Sequence, residues 1–168
     1  MNPGKLIEKA KHSSFYRWLL NVLLSRIIPF NRPHGFEIIS ITENSISTRL
    51  PYKKKNLNHV RGLHACALAT LSEFTTGFLL ISRLGMNTYR LILQKLEMDY
   101  HYQGKTDAFA HFSIDEDWLN REVITPLKTS ESIVIISEVK IYDQQKKHLT
   151  TARVHWQLKD LKKVKTVA

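Results

Sequence analysis

Six side chains able to do chemistry fall within residues 54–73: Lys54, Asn58, His59, His64, Cys66 and Glu73, with Gly62 breaking the polar loop ahead of His64. Glu73 is the one charge between Ala65 and Ser82, in a run otherwise small, polar-neutral or apolar. A carboxylate on a helix with no charged face is paired with a cation at the helix edge, held neutral, or at work in chemistry. His64 reads as a capping or loop-packing residue, with a base as the competing reading. His59 and His64 lack the partner set a metal ion needs, so no metal site is expected. Cys66 acts as a nucleophile only beside a histidine and an electropositive helix end; otherwise it is a core thiol. Lys53-Lys54-Lys55 reads first as a solvated loop. The chain carries no Gly-rich phosphate loop, Gly-x-Ser-x-Gly elbow or zinc spacing.

One long element must position these groups. From His64 to about Leu84 the sequence is Ala- and Leu-rich and does not alternate, which predicts a helix. A surface helix of that length would show a charged face, so this one is expected to be buried on most sides. Residues 36–41 and 45–50 predict two strands of a hairpin turning at Thr42-Glu43-Asn44, and Pro51 stops the second. Past a break at Asn87-Thr88, residues 90–102 and 107–114 predict strands, and Asp115 caps a short helical turn to Val123. Residues 132–142 are rich in β-branched side chains. After the turn 143–147, Thr150, Ala152, Val154, Trp156 and Leu158 alternate with polar neighbours, one face buried and one wet. The sum is an α+β fold: a curved antiparallel sheet around one nearly buried helix, whose small residues (Ala65, Ala67, Ala69, Thr70, Ser72, Gly77) admit close approach. Ahead of it, residues 5–30 predict one helix with Tyr16, Leu20, Leu23, Leu24, Ile27 and Phe30 on its packing side and Arg17, Asn21 and Ser25 opposite.

The 168 residues suit one fold unit, divided here into an N-terminal helical extension, 1–34, and a main domain, 35–168. Hydrophobic residues at 43% are enough for a core. A single cysteine excludes an internal disulfide and makes the cytoplasm the default compartment. No uninterrupted run of eighteen apolar residues is present, so no membrane span is expected, and the N-terminus lacks a signal-peptide pattern. Packing on the domain is the favoured place for the first helix; lying on a membrane surface is the lesser reading. The net charge of +10 suggests anionic partners: nucleotide phosphates, nucleic acid or an anionic membrane surface. It is scattered, with clusters at Lys53–Lys55 and Lys159–Lys165, and forms no continuous stripe of the kind nucleic acid binding uses.

This order of elements, with Asn58, Gly62, His64 and Glu73 as they stand, resembles the hot-dog-fold acyl-CoA thioesterases. The nearest type is that of the phenylacetate pathway, with a bacterial thioesterase-like subgroup inside it. The resemblance covers about residues 35–160. In those families an Asn precedes a His-Gly-Gly helix start, and an acid follows nine residues after the His. Asn58, His64 and Glu73 keep that spacing, but the doublet reads Ala65-Cys66. The resemblance implies thioester hydrolysis without a cofactor, acyl-CoA being the substrate. In it Glu73 is the attacking or water-activating carboxylate, and Asn58 orients water or the carbonyl. The N–H of Ala65 or Cys66 is the oxyanion donor at the helix start. Gly62, His64, Cys66 and Lys54 would line the substrate, Lys54 by meeting coenzyme A phosphates. Ala65 adds a methyl where the thioester approaches.

One inference needs no family. Ala65 and Glu73 are eight residues apart, about 12 Å along a helix at roughly 1.5 Å per residue, too far to touch one carbonyl carbon together. If both are used, they come from two antiparallel helices of a dimer, and dimers could pair into a tetramer. The resemblance implies the same composite site. A non-catalytic acyl- or lipid-binding protein is the alternative that Ala65 makes credible. A hot-dog dehydratase would want a His-Phe-Pro-type loop, which this chain lacks.

Overall fold

The computed structural model describes residues 3–85 and 88–161. Asn87, Lys162, Lys163 and Lys165, named above in a break and a basic cluster, lie outside them. Helices α1 (Pro3–His12) and α2 (Ser14–Ile27) precede the hairpin of β1 (Glu37–Ile41) and β2 (Ser45–Leu50). The central helix α3 (Ala65–Leu84) leads into β3 (Tyr89–Tyr100) and β4 (Ala108–Ser113). Short helices α4 (Glu116–Leu119) and α5 (Thr125–Thr129) flank a π turn, and β5 (Ser132–Asp143) and β6 (His148–Asp160) close the chain. The strands form one antiparallel sheet in the order β1-β2-β4-β5-β6-β3, with α3 packed on β2, β4, β5, β6 and β3.

The alternation in β6 is realised: Thr150, Ala152, Val154, Trp156 and Leu158 are all buried against the helix. Asp115 accepts the N–H of Trp118 at 2.7 Å and starts α4, but the helical run continues to Thr129, past the expected end at Val123. By length and composition alone α3 is long and apolar enough to cross a bilayer, with a mean hydropathy of 1.4, although it holds no uninterrupted run of eighteen apolar residues. The sheet encloses it instead, burying residues such as Leu68, Leu71, Leu79 and Leu80.

Gly77 is where helix and sheet come closest. A Cβ there would stand 2.7 Å from Cζ2 of Trp156, whose indole N–H donates to Thr76 Oγ1 at 3.0 Å. The ring is held by that bond and cannot slide away freely. Gly77→Ala is expected to destabilise the protein by about 1–3 kcal/mol through overpacking, read by chemical denaturation, despite the higher helix propensity of alanine. An unchanged or raised midpoint would show that the ring yields.

The N-terminal segment differs from the expected single helix. Ser13 adopts an extended backbone (φ −142°, ψ 127°) and splits it in two. Serine competes poorly inside a helix, and the Ser13-Ser14 pair is the natural break. The first half buries Leu6, Ile7 and Ala10. The packing face assigned to the second half is only partly right. Leu20 is buried, and Tyr16, Leu23 and Leu24 pack beside the core, but Ile27 and Phe30 are exposed. Asn21, expected to face outward, turns to the sheet. Its carboxamide donates to the carbonyl of Ile38 at 3.0 Å and accepts that residue's N–H at 2.8 Å. The edge of β1 is thereby covered, as exposed strand edges generally are. Glu43 in the hairpin turn joins Lys11 of α1 to Arg83 of α3, and the hydrogen bond from Lys11 holds the Glu43 carboxyl below its usual range.

Candidate active site

The loop before α3 is built by two asparagines. Asn56 is fully buried. Its Nδ2 donates to the carbonyls of His34 (2.9 Å) and Pro51 (2.8 Å), its Oδ1 meets His34 Nδ1 at 3.0 Å, and its own carbonyl accepts the N–H of His64 at 2.8 Å. Asn56 thus fixes where the helix begins. Sequence reading missed it, because an asparagine in a polar loop carries no signal of burial. Asn58 shapes the tip: its Oδ1 accepts the N–H groups of Val60 (3.1 Å) and Gly62 (2.9 Å). Such side-chain-to-backbone turns are a characteristic structural use of asparagine. With Oδ1 committed, Nδ2 is the group left to meet a ligand. Gly62 is buried under the side chain of Gln103, 2.3 Å from where a Cβ would sit.

At the helix start, His64 is the N-cap, and its Nδ1 accepts the N–H of Cys66 at 3.1 Å. The capping reading of His64 is therefore realised, with the ring proton on Nε2 in this geometry. Of the two N–H groups considered as oxyanion donors, that of Cys66 is occupied. That of Ala65 makes no hydrogen bond among the described residues. Cys66 is exposed on the first turn, so the core-thiol reading fails. Ala65 is exposed too, and does not serve close packing of the sheet. The Tyr100 hydroxyl donates to the carbonyl of Ala65 at 3.0 Å. Burial, with a charge on Cys66 adding to it, pushes this phenol above its ordinary range.

Glu73 sits two turns further on, half-buried, with no ion pair or side-chain hydrogen bond among the described residues. The edge ion pair allowed by the sequence is not present among them. Burial pushes its carboxyl up from 4.5. Glu73 lines a cavity of about 170 Å³ with Phe74, Gly77, Phe78 and Ile81 of α3, Leu91, Trp156, and Ile28 and Asn31 from the segment after α2. Asn31, which no sequence pattern singled out, is buried beside it. From Cys66 through Ala69 and Thr70 to Glu73, one stripe of α3 is left uncovered by the sheet. Lys54 lies away from this stripe. With Arg32, Pro33, Lys53 and Lys55 it lines a surface cleft of about 520 Å³. His59 is exposed, and no group of three or more metal-ligating side chains occurs among the described residues.

Residues 16–158 match the family described as a domain of unknown function, DUF4442. The chain belongs to that family. The match takes in α2 as well as the sheet and α3. Among curated proteins none matches the sequence. Solved structures are similar over almost the whole fold. PA5026 of Pseudomonas aeruginosa, described as a protein of unknown function and probable thioesterase, is 20% identical over 84% of this chain and 94% of its own, with a TM-score of 0.77. OLEI01261 of Chlorobaculum tepidum, of unknown function, gives 15%, 94%, 96% and 0.73. Thioesterase HI1161 of Haemophilus influenzae gives 13%, 95%, 99% and 0.70. This member of DUF4442 has the hot-dog fold.

Proposed function

We propose that this protein hydrolyses an acyl thioester, carried on coenzyme A or on an acyl-carrier group, at a site shared between two subunits. The observation that carries the reading is Glu73: a half-buried carboxyl with no partner among the described residues, raised by burial and lining a mostly apolar cavity. Burial strengthens its hold on a proton, which favours it as a general base. The similar structures support it: PA5026 is described as a probable thioesterase and HI1161 as a thioesterase. The free N–H of Ala65, at the positive end of a twenty-residue helix, supplies the oxyanion donor. The Nδ2 of Asn58 is the remaining loop donor for the substrate. The basic cleft around Lys54 would receive the phosphates of coenzyme A.

Two subunits are needed because Glu73 and Ala65 are too far apart on one helix. The open stripe of α3 and the edge of β3, which pairs only with β6 among the described strands, are the surfaces a second copy would cover. The protein is expected to run as a dimer or a dimer of dimers at micromolar concentration in light scattering. A monomer that keeps full turnover would refute the shared site. The reaction itself is tested by free-thiol release across a panel of acyl-CoA thioesters, with Glu73→Gln as the silent control. Binding of acyl-CoA without thiol release would favour the second reading, an acyl-binding protein. One observation supports that alternative: the His64 cap leaves a single free donor at the helix start.

A further inference from the structure

Asn31 is 8% exposed, and its backbone is held in a tight turn. Its N–H donates to Ile28 at 3.0 Å, and its carbonyl accepts from His34 and Gly35 at 3.1 Å. Its carboxamide makes no hydrogen bond among the described residues, yet it lines the Glu73 cavity. Its two amide atoms are not among the fully enclosed unpaired polar atoms of the described residues, so a water-sized molecule can reach them, and a residue on the cavity wall with a free acceptor and donor can hold one there. Of the other lining side chains, Ile28, Phe74, Phe78, Ile81 and Leu91 are apolar, and the indole N–H of Trp156 is taken by Thr76. A buried water needs two to four polar partners, and the volume here is several times the roughly 30 Å³ share of one water. The side chains able to hold a water there are Asn31 and Glu73.

We propose that Asn31 and Glu73 together hold the attacking water. This rests on the thioester-hydrolase reading and makes Glu73 the base and not the nucleophile. Asn31 Oδ1 accepts one O–H of the water and the Glu73 carboxylate the other, so a lone pair is left to face the thioester carbon. The water oxygen bonds to that carbon, the carbonyl π pair becomes the oxyanion, and the water's proton passes to Glu73. Collapse re-forms the carbonyl and breaks the C–S bond. The leaving thiolate takes the proton back, giving a carboxylic acid and a thiol. Asn31 comes from the chain ahead of β1, so the N-terminal segment completes the site.

The test uses the full chain. Asn31→Leu removes the acceptor at similar volume, and kcat is expected to fall about 100-fold, the scale of losing one positioned polar group. The dissociation constant of a non-hydrolysable thioether analogue should stay within about threefold. Asn31→Asp places a second carboxyl beside Glu73, the one titratable side chain lining the cavity. It should move the acid limb of the kcat profile to higher pH, which a merely structural residue would not do. A crystal structure should show an ordered water between Asn31 and Glu73. An active wild type with unchanged kcat in Asn31→Leu overturns the proposal and leaves the hydrolase standing. If Asn31→Leu fails to fold, an unmoved acid limb in Asn31→Asp overturns it equally. A wild type silent on every thioester overturns the hydrolase reading itself.

Discussion

Replacing Glu73 with Gln is expected to abolish turnover and make the protein more stable. Gln keeps the size and some hydrogen bonding of Glu but cannot accept the proton, and losing a general base costs typically 10²–10⁴-fold in rate. The stability gain follows from burial. The carboxyl titrates above 4.5 in the fold because the buried site disfavours its charge. An acid with a raised folded pKa favours the fold while it is protonated. That contribution is lost as pH rises from the unfolded value through the folded one. Above that window the wild type carries a charge it would be more stable without, and Gln removes it. The melting midpoint of Glu73→Gln should exceed that of wild type at pH values above that window. The two should converge in acid. The same shift sets the rate: the acid limb of kcat/KM should lie above the ordinary carboxylate range. Near wild-type turnover in the mutant would sink Glu73 as the base. A lowered midpoint at neutral pH would point to an ion pair with a partner subunit.

Opposing changes of this kind in one substitution would mark a group placed for chemistry at a cost in stability. Glu43 shows the contrast. It too lies near α3, but it is tied to Lys11 and Arg83, and its carboxyl is pushed down. One acid joins the N-terminal helices to the core; the other lines a cavity and has no partner among the described residues.

What could be read from the sequence follows from which signals are periodic. The alternation from Thr150 to Leu158 specifies a face, and the chargeless run around Glu73 specifies a helix enclosed by sheet. Both are carried by many residues at once, and both are realised. The features that escaped depend on single side chains meeting distant backbone. Nothing local says that Asn21 covers the edge of β1, that Asn56 ties the loop to His34 and Pro51, or that Asn31 lines the same cavity as Glu73, 42 positions further along the chain. The exposed Ile27 and Phe30 fit the helical period of the residues before them. The chain leaves the helix after Ile27, so the period no longer applies at Phe30, while Ile27 keeps the period but is exposed on the last turn of α2. His64 was legible because capping is a local act between neighbours.

The role of the Ala65 N–H can be tested by removing that one atom. Proline lacks the N–H and is well tolerated at the first position of a helix, where the donor has no intrahelical partner. Ala65 is that first position, and its N–H has no acceptor among the described residues. The residue before a proline must be extended, and His64 already is, at φ −66° and ψ 136°. Neither the bond from the Cys66 N–H to His64 nor the bonds from Ala67 and Leu68 to the His64 carbonyl use the Ala65 nitrogen. Ala65→Pro should therefore fold with a midpoint close to wild type and lose roughly 10²–10³-fold in kcat, the usual effect of deleting one oxyanion donor. Because the ring also fills space at the carbonyl, affinity for a thioether analogue, which has no carbonyl, is the control and should hold within about threefold. Ala65→Gly is the converse: it keeps the N–H, opens the space, and should turn over bulky acyl groups at least as fast as wild type. Wild-type kcat in Ala65→Pro would remove the helix start from the mechanism. A matching loss in Ala65→Gly would show that the methyl supports the helix start, and that the effect of proline is structural.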